Sequence, residues 1–159
     1  QLKLPTEGQK KKLFLSRVMG RQEKGDLVII QGGEKDGLKK ENLVAAGGVL
    51  LGKVAEVGAT QSKMRLTVSA ESRYFVRTGD FSARGEVSGN FGSELKLSKV
   101  LPSHPLSLGQ AVVELESGLL MGNVSNVEKE GAKIFKQAQL AVPYEPGLLD
   151  SVFVLIDNQ

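Results

Sequence analysis

Residues 94–97, Glu-Leu-Lys-Leu, open a segment running to Val100 that alternates polar and apolar side chains, and residues 63–69 alternate throughout with Met64, Leu66 and Val68. A period of two sends successive side chains to opposite faces, so each segment predicts a strand with one face in a core. Residues 26–31 (DLVIIQ) and 152–156 (VFVLI) are apolar almost without a break. Such continuity predicts a strand buried on both faces at 26–31, and 152–156 reads as a final buried strand. Shorter strand-like runs occupy residues 13–19, 43–46, 73–77, 83–88, 110–115 and 134–142. Glycines and prolines punctuate them, as at Gly32-Gly33, Asp36-Gly37, Gly79-Asp80 and Pro102-Ser103-His104-Pro105. About twelve strands at ~8–12-residue spacing describe a sandwich or barrel protein. No segment sustains a 3.6-residue period; one short helical turn is expected over residues 38–42. The fold class is all-β with little helix.

One ten-residue phrase occurs twice. Gly48-Val49-Leu50-Leu51-Gly52-Lys53-Val54-Ala55-Glu56-Val57 returns seventy residues on as Gly118-Leu119-Leu120-Met121-Gly122-Asn123-Val124-Ser125-Asn126-Val127, with five of the ten positions identical. Each copy reads as a strand with a glycine at its middle. There a neighbouring backbone can approach or the strand can bend, which lets a small sheet curl on itself. The flanking segments match as well, residues 38–44 before the first copy and 106–112 before the second. A repeat of this length predicts two small six-stranded β-barrels rather than one large sheet.

Composition changes this picture little. The chain has 159 residues, 40% hydrophobic and 25% charged, values of an ordinary globular protein. It has no Cys, which excludes disulfides, Cys-ligated zinc and thiol chemistry. Net charge is +3, but outside Lys10-Lys11-Lys12 the basic residues are interleaved with acidic ones. That interleaving argues against a nucleic-acid binder, which gathers its charge on one face. No apolar run reaches the ~18 residues of a membrane span, and no signal peptide is visible. The chain opens at Gln1 without Met, so an upstream anchor is expected beyond it.

The chemistry of an enzyme is hard to assemble from these residues. His104 is the sole histidine and sits between Ser103 and Pro105. A Ser-His-Asp triad would have to use it, yet no Gly-x-Ser-x-Gly surrounds any serine. Glu114 and Glu116 lie two apart and read as an exposed strand face rather than an acid/base pair. Asp36-Gly37 lacks the further acidic ligands of a calcium loop, and neither Gly32-Gly33 nor Gly47-Gly48 continues as a phosphate loop. No catalytic residue, metal site or cofactor is assigned. The aromatic residues make up only 5% of the chain, but Tyr74, Phe75, Phe81 and Phe91 fall close together. They are either core or a partner-binding surface, where aromatic anchors are enriched. Tyr74 and Phe75 must point to opposite faces of their strand.

These segments, in their order, resemble a family. Asp26-Leu27-Val28-Ile29-Ile30, the turn Gly32-Gly33-Glu34-Lys35-Asp36-Gly37-Leu38-Lys39-Lys40 and the Gly-x-Leu-x-Gly-x-Val strand are similar to the extracytoplasmic region of the MreC family of rod shape-determining proteins. The likeness continues through Arg84-Gly85-Glu86-Val87-Ser88-Gly89-Asn90, residues 95–102, the second glycine-centred strand and residues 149–155, covering most of 18–156. The resemblance implies a second barrel inserted in the first. Residues 1–12 would be a linker or the end of a coiled coil, 13–70 plus 149–157 barrel one, and 71–148 barrel two. It also implies a non-enzymatic scaffold of cell-wall elongation, periplasmic or otherwise extracytoplasmic, held at the bacterial inner membrane by an N-terminal helix that this sequence lacks. Its partners would be penicillin-binding protein 2, MreD, MreB and RodA, and it would form homodimers or filaments. Exposed strand edges would offer one route to such self-assembly. Two other readings stand beside it: a basic β-barrel nucleic-acid-binding module, and a barrel hydrolase working through His104.

Overall fold

A computed structural model describes residues 11–22, 26–90, 94–128 and 135–157. The described residues form twelve strands: β1 (Lys11–Gln22), β2 (Leu27–Gln31), β3 (Leu43–Ala46), β4 (Val49–Val57), β5 (Gln61–Leu66), β6 (Arg73–Thr78), β7 (Arg84–Gly89), β8 (Glu94–Val100), β9 (Ala111–Glu114), β10 (Leu120–Glu128), β11 (Lys136–Ala141) and β12 (Ser151–Asp157). Two complete 3-10 turns lie among the described residues, Glu34–Asp36 and Pro146–Leu148.

The pairings close two rings. In the first, β4-β3-β12-β1-β2-β5 run side by side and β5 returns to β4. In the second, β10-β9-β6-β7-β8-β11 do the same and β11 returns to β10. Each ring is a six-stranded barrel, and the second is inserted between β5 and β12 of the first. A parallel contact, Leu120 against Val49, joins the two copies of the repeated phrase. Every described strand has at least two neighbours, so closure removes most of the free edge that open sheets carry, although Lys11–Arg17 of β1 pair with β12 alone.

The repeat explains the closure. Gly52 and Gly122 sit in β4 and β10, the two strands at which the rings close. A methyl group on Gly52 would run into the Arg65 carbonyl on β5, and one on Gly122 would meet the Ala141 carbonyl on β11. Both strands carry two bulges, at matching places. Against the preceding strand the register slips between Leu50 and Gly52 in β4, and between Leu120 and Gly122 in β10. Against the following strand it slips between Val54 and Glu56, and between Val124 and Asn126. All four slips lie seventy positions apart in pairs. A bulge adds a residue on one side, sharpening the twist and bending the strand toward closure.

Met64 and Leu66 on β5, and Leu95 and Leu97 on β8, are buried as their period demands. Val100, one place out of phase, joins them because the β8–β11 register slips between Leu97 and Val100, where Lys99 takes a φ of 60°. With Leu50, Leu51, Met121 and Val124 these residues belong to one apolar cluster spanning both barrels. Three expectations need correction. The β5 strand ends at Leu66, and Val68 reaches the core from a turn in which the Ser69 amide donates to the Leu66 carbonyl. The helical turn lies at Glu34–Asp36 rather than 38–42, because the Asp36 carboxylate accepts from the Gly33 amide and Gly37 supplies a φ of 93° to end it. The apolar runs in β2 and β12 are fully buried on one face only: Val152, Val154 and Ile156 point inward, whereas Phe153 is 38% exposed. A barrel strand has one interior face, and here the outer one is only partly covered. Of the linker assigned to 1–12, residues 1–10 lie outside the described residues, and Lys11 and Lys12 already belong to β1.

The closure argument predicts unequal effects of alanine at two strand glycines. Gly52→Ala forces a methyl against backbone that cannot rotate away, and is expected to cost at least the upper end of the ~1–3 kcal/mol typical of overpacking. Gly20→Ala, on β1, meets nothing closer than the Ile29 Cδ1 at 3.9 Å. It should leave stability within about 0.5 kcal/mol of the parent. Urea denaturation of both variants measures the difference; equal effects would remove the closure role of Gly52.

Candidate functional site: an aromatic and basic face on the second barrel

The four clustered aromatics separate. Tyr74 is 6% exposed, so it is a core residue and not part of a surface. Phe75 and Phe81 are 68% and 73% exposed. Phe91 lies outside the described residues. The split follows from strand geometry: Tyr74, Val76 and Thr78 point into barrel two, while Arg73, Phe75 and Arg77 point out. Tyr74 packs where the barrels meet, with Lys53 Nζ of β4 4.9 Å from its ring centre. Its hydroxyl finds no partner among the described residues, and burial pushes its pKa far above that of an ordinary phenol.

The loop between β6 and β7, residues 79–83, is held tightly. The Asp80 carboxylate accepts from Thr78 Oγ1 at 2.8 Å, the Ser82 amide at 3.0 Å and Ser82 Oγ at 2.6 Å. The Phe81 amide donates to the Thr78 carbonyl at 3.0 Å. Gln110 Nε2, before β9, donates to Ser82 Oγ at 3.2 Å and ties the loop to the next connection. Phe81 itself takes a φ of 64°. For a bulky residue that left-handed conformation costs on the order of 1–2 kcal/mol. The Arg77 guanidinium lies 3.9 Å from the centre of the Phe81 ring, a cation–π stack, and its Nη1 donates to the Thr78 carbonyl at 3.1 Å.

Across the β6–β7 pair, Phe75 is in register with Glu86 and Arg77 with Arg84. The Glu86 carboxylate pairs with Arg73 at 3.6 Å and with Lys99 at 3.2 Å. The face therefore presents two exposed phenyl rings among four cations.

A second exposed apolar face lies on barrel one. Leu13 and Leu15 of β1 are 63% and 61% exposed, and Leu15 is in register with Phe153 of β12. Met19 continues the outward side of β1, half exposed. Composition and period gave no sign of this face, because β1 carries apolar residues both outward, at Leu13, Leu15 and Met19, and inward, at Phe14 and Val18. The inward side is fixed in the structure by buried Ser16, whose hydroxyl donates to the Gln31 carbonyl at 2.6 Å.

The candidate catalytic groups are engaged in structural contacts. His104 Nδ1 faces the Arg84 amide at 3.4 Å, and the His104 carbonyl accepts from Lys136 Nζ at 2.7 Å. Glu116 lies in the turn beyond β9, so Glu114 and Glu116 do not share a strand face as expected. Glu114 instead accepts from the Glu116 and Ser117 amides at 3.3 and 2.8 Å. An open depression of about 220 Å³ between the barrels is lined by charges that pair with each other, Lys53 with Glu41 at 3.0 Å and Arg65 with Glu71 at 3.2 Å. Among the described residues no three His, Asp or Glu side chains come together as a cation site.

Asp80 sets a test of the loop. Its hydrogen bonds from Ser82 and Thr78 hold the carboxyl at a pKa of about 2. A pKa lowered by folding means the network is intact above the ordinary carboxylate range, near 4, and is lost only as pH falls through about 2. The Ser82 amide resonance is therefore expected to stay constant from pH 7 to 4 and to shift near pH 2. A shift centred near 4 would show that the carboxylate is not held.

Three comparisons place this geometry among known proteins. The family model described as rod shape-determining protein MreC, barrel core, matches residues 18–156. Comparison with curated protein sequences finds no match. Among solved structures, MreC from Listeria monocytogenes superposes with a TM-score of 0.87 at 23% identity, over 98% of this chain and 80% of that one. The major periplasmic domain of the cell shape-determining filament MreC gives 0.81 at 18% identity, over 94% and 98%. The MreC chain of a complex with the penicillin-binding protein PBP2 from Helicobacter pylori gives 0.72 at 19% identity, over 93% and 100%.

Proposed function

The chain belongs to the MreC family of rod shape-determining proteins, and we propose that it acts as a non-catalytic scaffold of the cell-wall elongation machinery. In this reading it binds a penicillin-binding protein and a second copy of itself on the extracytoplasmic face of the inner membrane, with the full-length protein anchored by an N-terminal helix. MreD, MreB and RodA would belong to the same assembly. Barrel one would comprise 13–70 and 149–157, and barrel two 71–148. The observation that carries the reading is the pair of exposed faces, Phe75 and Phe81 on barrel two and Leu13, Leu15 and Phe153 on barrel one. Apolar side chains gathered outside a closed barrel mark contact surfaces rather than loose packing. The Helicobacter relative, solved in complex with its penicillin-binding protein, supports the choice of partner. The Leu15 face supports self-association, since an apolar centre is complementary to its own copy across a two-fold axis.

Surface plasmon resonance decides between scaffold and nucleic-acid module. The fragment is immobilised and exposed to the extracytoplasmic domain of penicillin-binding protein 2 of the same organism, and separately to an RNA oligonucleotide at physiological salt. Binding to the protein alone is expected. Salt-sensitive binding to RNA alone would replace the scaffold by the nucleic-acid reading. For self-association, sedimentation velocity should show concentration-dependent growth that Leu15→Glu weakens by tenfold or more; no growth in the parent would remove the self-association claim.

A further inference from the structure

We propose that the β6–β7 hairpin is a preformed docking knuckle, and that the surface it fits is a protein pocket with an apolar floor and a rim of carboxylates. The proposal rests on the scaffold reading and deepens it by stating the chemistry of the partner's site.

The apolar part comes from Phe75 and Phe81, the two most exposed aromatic rings among the described residues. Phe81 occupies the position where a turn calls for positive φ. Gly or Asn would meet that need with less strain, and neither would bring a phenyl ring to the tip. The loop spends its hydrogen bonds on keeping that ring in place. Asp80 holds both flanks through Thr78 and Ser82, Gln110 braces Ser82 from another connection, and Arg77 supports the ring from beneath. An aromatic side chain fixed before contact loses little conformational entropy on binding, which is how rigid anchors gain affinity.

The charged part commits the occupant. Among the described residues, the carboxylates that pair with Arg73 and Lys99 or lie in the hairpin loop are those of Glu86 and Asp80. Glu86 is shared between Arg73 and Lys99, and Asp80 is directed into its own loop. Arg77 and Arg84 have no carboxylate within ion-pair distance among the described residues. Both flank the rings in register with each other. Arginine at such a position is suited to discrete carboxylates, which it can take in bidentate fashion. A phosphate backbone is a poorer match. It would have to pass Glu86, in register with Phe75 at the middle of the face, and one side of the Arg77 guanidinium is already covered by Phe81.

The test uses the fragment and the extracytoplasmic domain of penicillin-binding protein 2, titrated by calorimetry at several salt concentrations. Phe81→Ala is expected to weaken binding by tenfold or more. Asp80→Asn, which keeps Phe81 but loosens its support, should weaken it severalfold. Arg84→Gln, an exposed change that spares the fold, should weaken binding and reduce its dependence on salt. Thermal melts confirm that each variant is folded. If the parent binds and all three variants match it, the knuckle is not the docking surface while the scaffold reading survives. If the parent does not bind, both fail. RNA or anionic vesicles bound through Phe81, with no binding to the protein domain, would overturn the proposal in favour of phosphate recognition.

Discussion

Both barrels depend on the same close approach of backbone to backbone. At Gly52 and Gly122 a strand passes so near the strand that closes its ring that no side chain fits between them. Closing six strands into a ring demands strong local coiling, and the sequence supplies it with a glycine flanked by two bulges. The bulges fall at equivalent places in β4 and β10, so the repeat in the chain is a repeat of a bending device. The apolar residues around it, Leu50 and Leu51 in one copy and Met121 and Val124 in the other, fill the interior that the bend creates.

Closure has a consequence for how such a protein can bind. With two neighbours for each described strand, little backbone remains to recruit another chain by edge pairing. The edge-pairing route expected from the sequence is narrowed to such stretches as Lys11–Arg17 of β1, which pair with β12 alone. The barrels also hold one another. Tyr144, in the connection leading to β12, donates to the Leu51 carbonyl at 3.3 Å and shares a hydrogen bond with Thr67 Oγ1 at 2.7 Å. Tyr74 adds a buried ring against Lys53 from the other side. Both exposed faces are thus mounted on barrels with several fixed points between them.

Much of this is legible in the amino-acid sequence. The period-two segments gave strands whose inward residues are those observed, and the repeat gave two barrels because its glycines do the same work twice. The Tyr74-Phe75 pair gave one inward and one outward aromatic from strand geometry alone. What was not legible depends on contacts between distant parts of the chain. The run 152–156 reads as a buried strand because every residue is apolar; its pairing with β1 and β3 shows that Phe153 faces outward. The single helical turn moved to Glu34–Asp36 because the Gly33 amide needed the Asp36 carboxylate, a local detail that competing turn signals at 38–42 obscured. Phe81 read simply as one aromatic of four, since neither its positive φ nor its stack on Arg77 leaves a trace in composition.

The distribution of strain separates what builds the barrels from what they carry. Glycines bear the close approaches in the ring-closing strands, where substitution by any larger residue meets backbone. Phe81 bears a left-handed φ at the surface, where nothing in the barrel needs a ring. A hairpin selected only for stability would relax that position, since turn chemistry offers cheaper residues. The loop instead opposes relaxation with Asp80, Ser82 and Arg77. Asp26, Glu41 and Lys99 take positive φ as well; what sets the Phe81 position apart is a bulky exposed ring held there by a hydrogen-bond network, the pattern that the proposed docking role of the hairpin would account for.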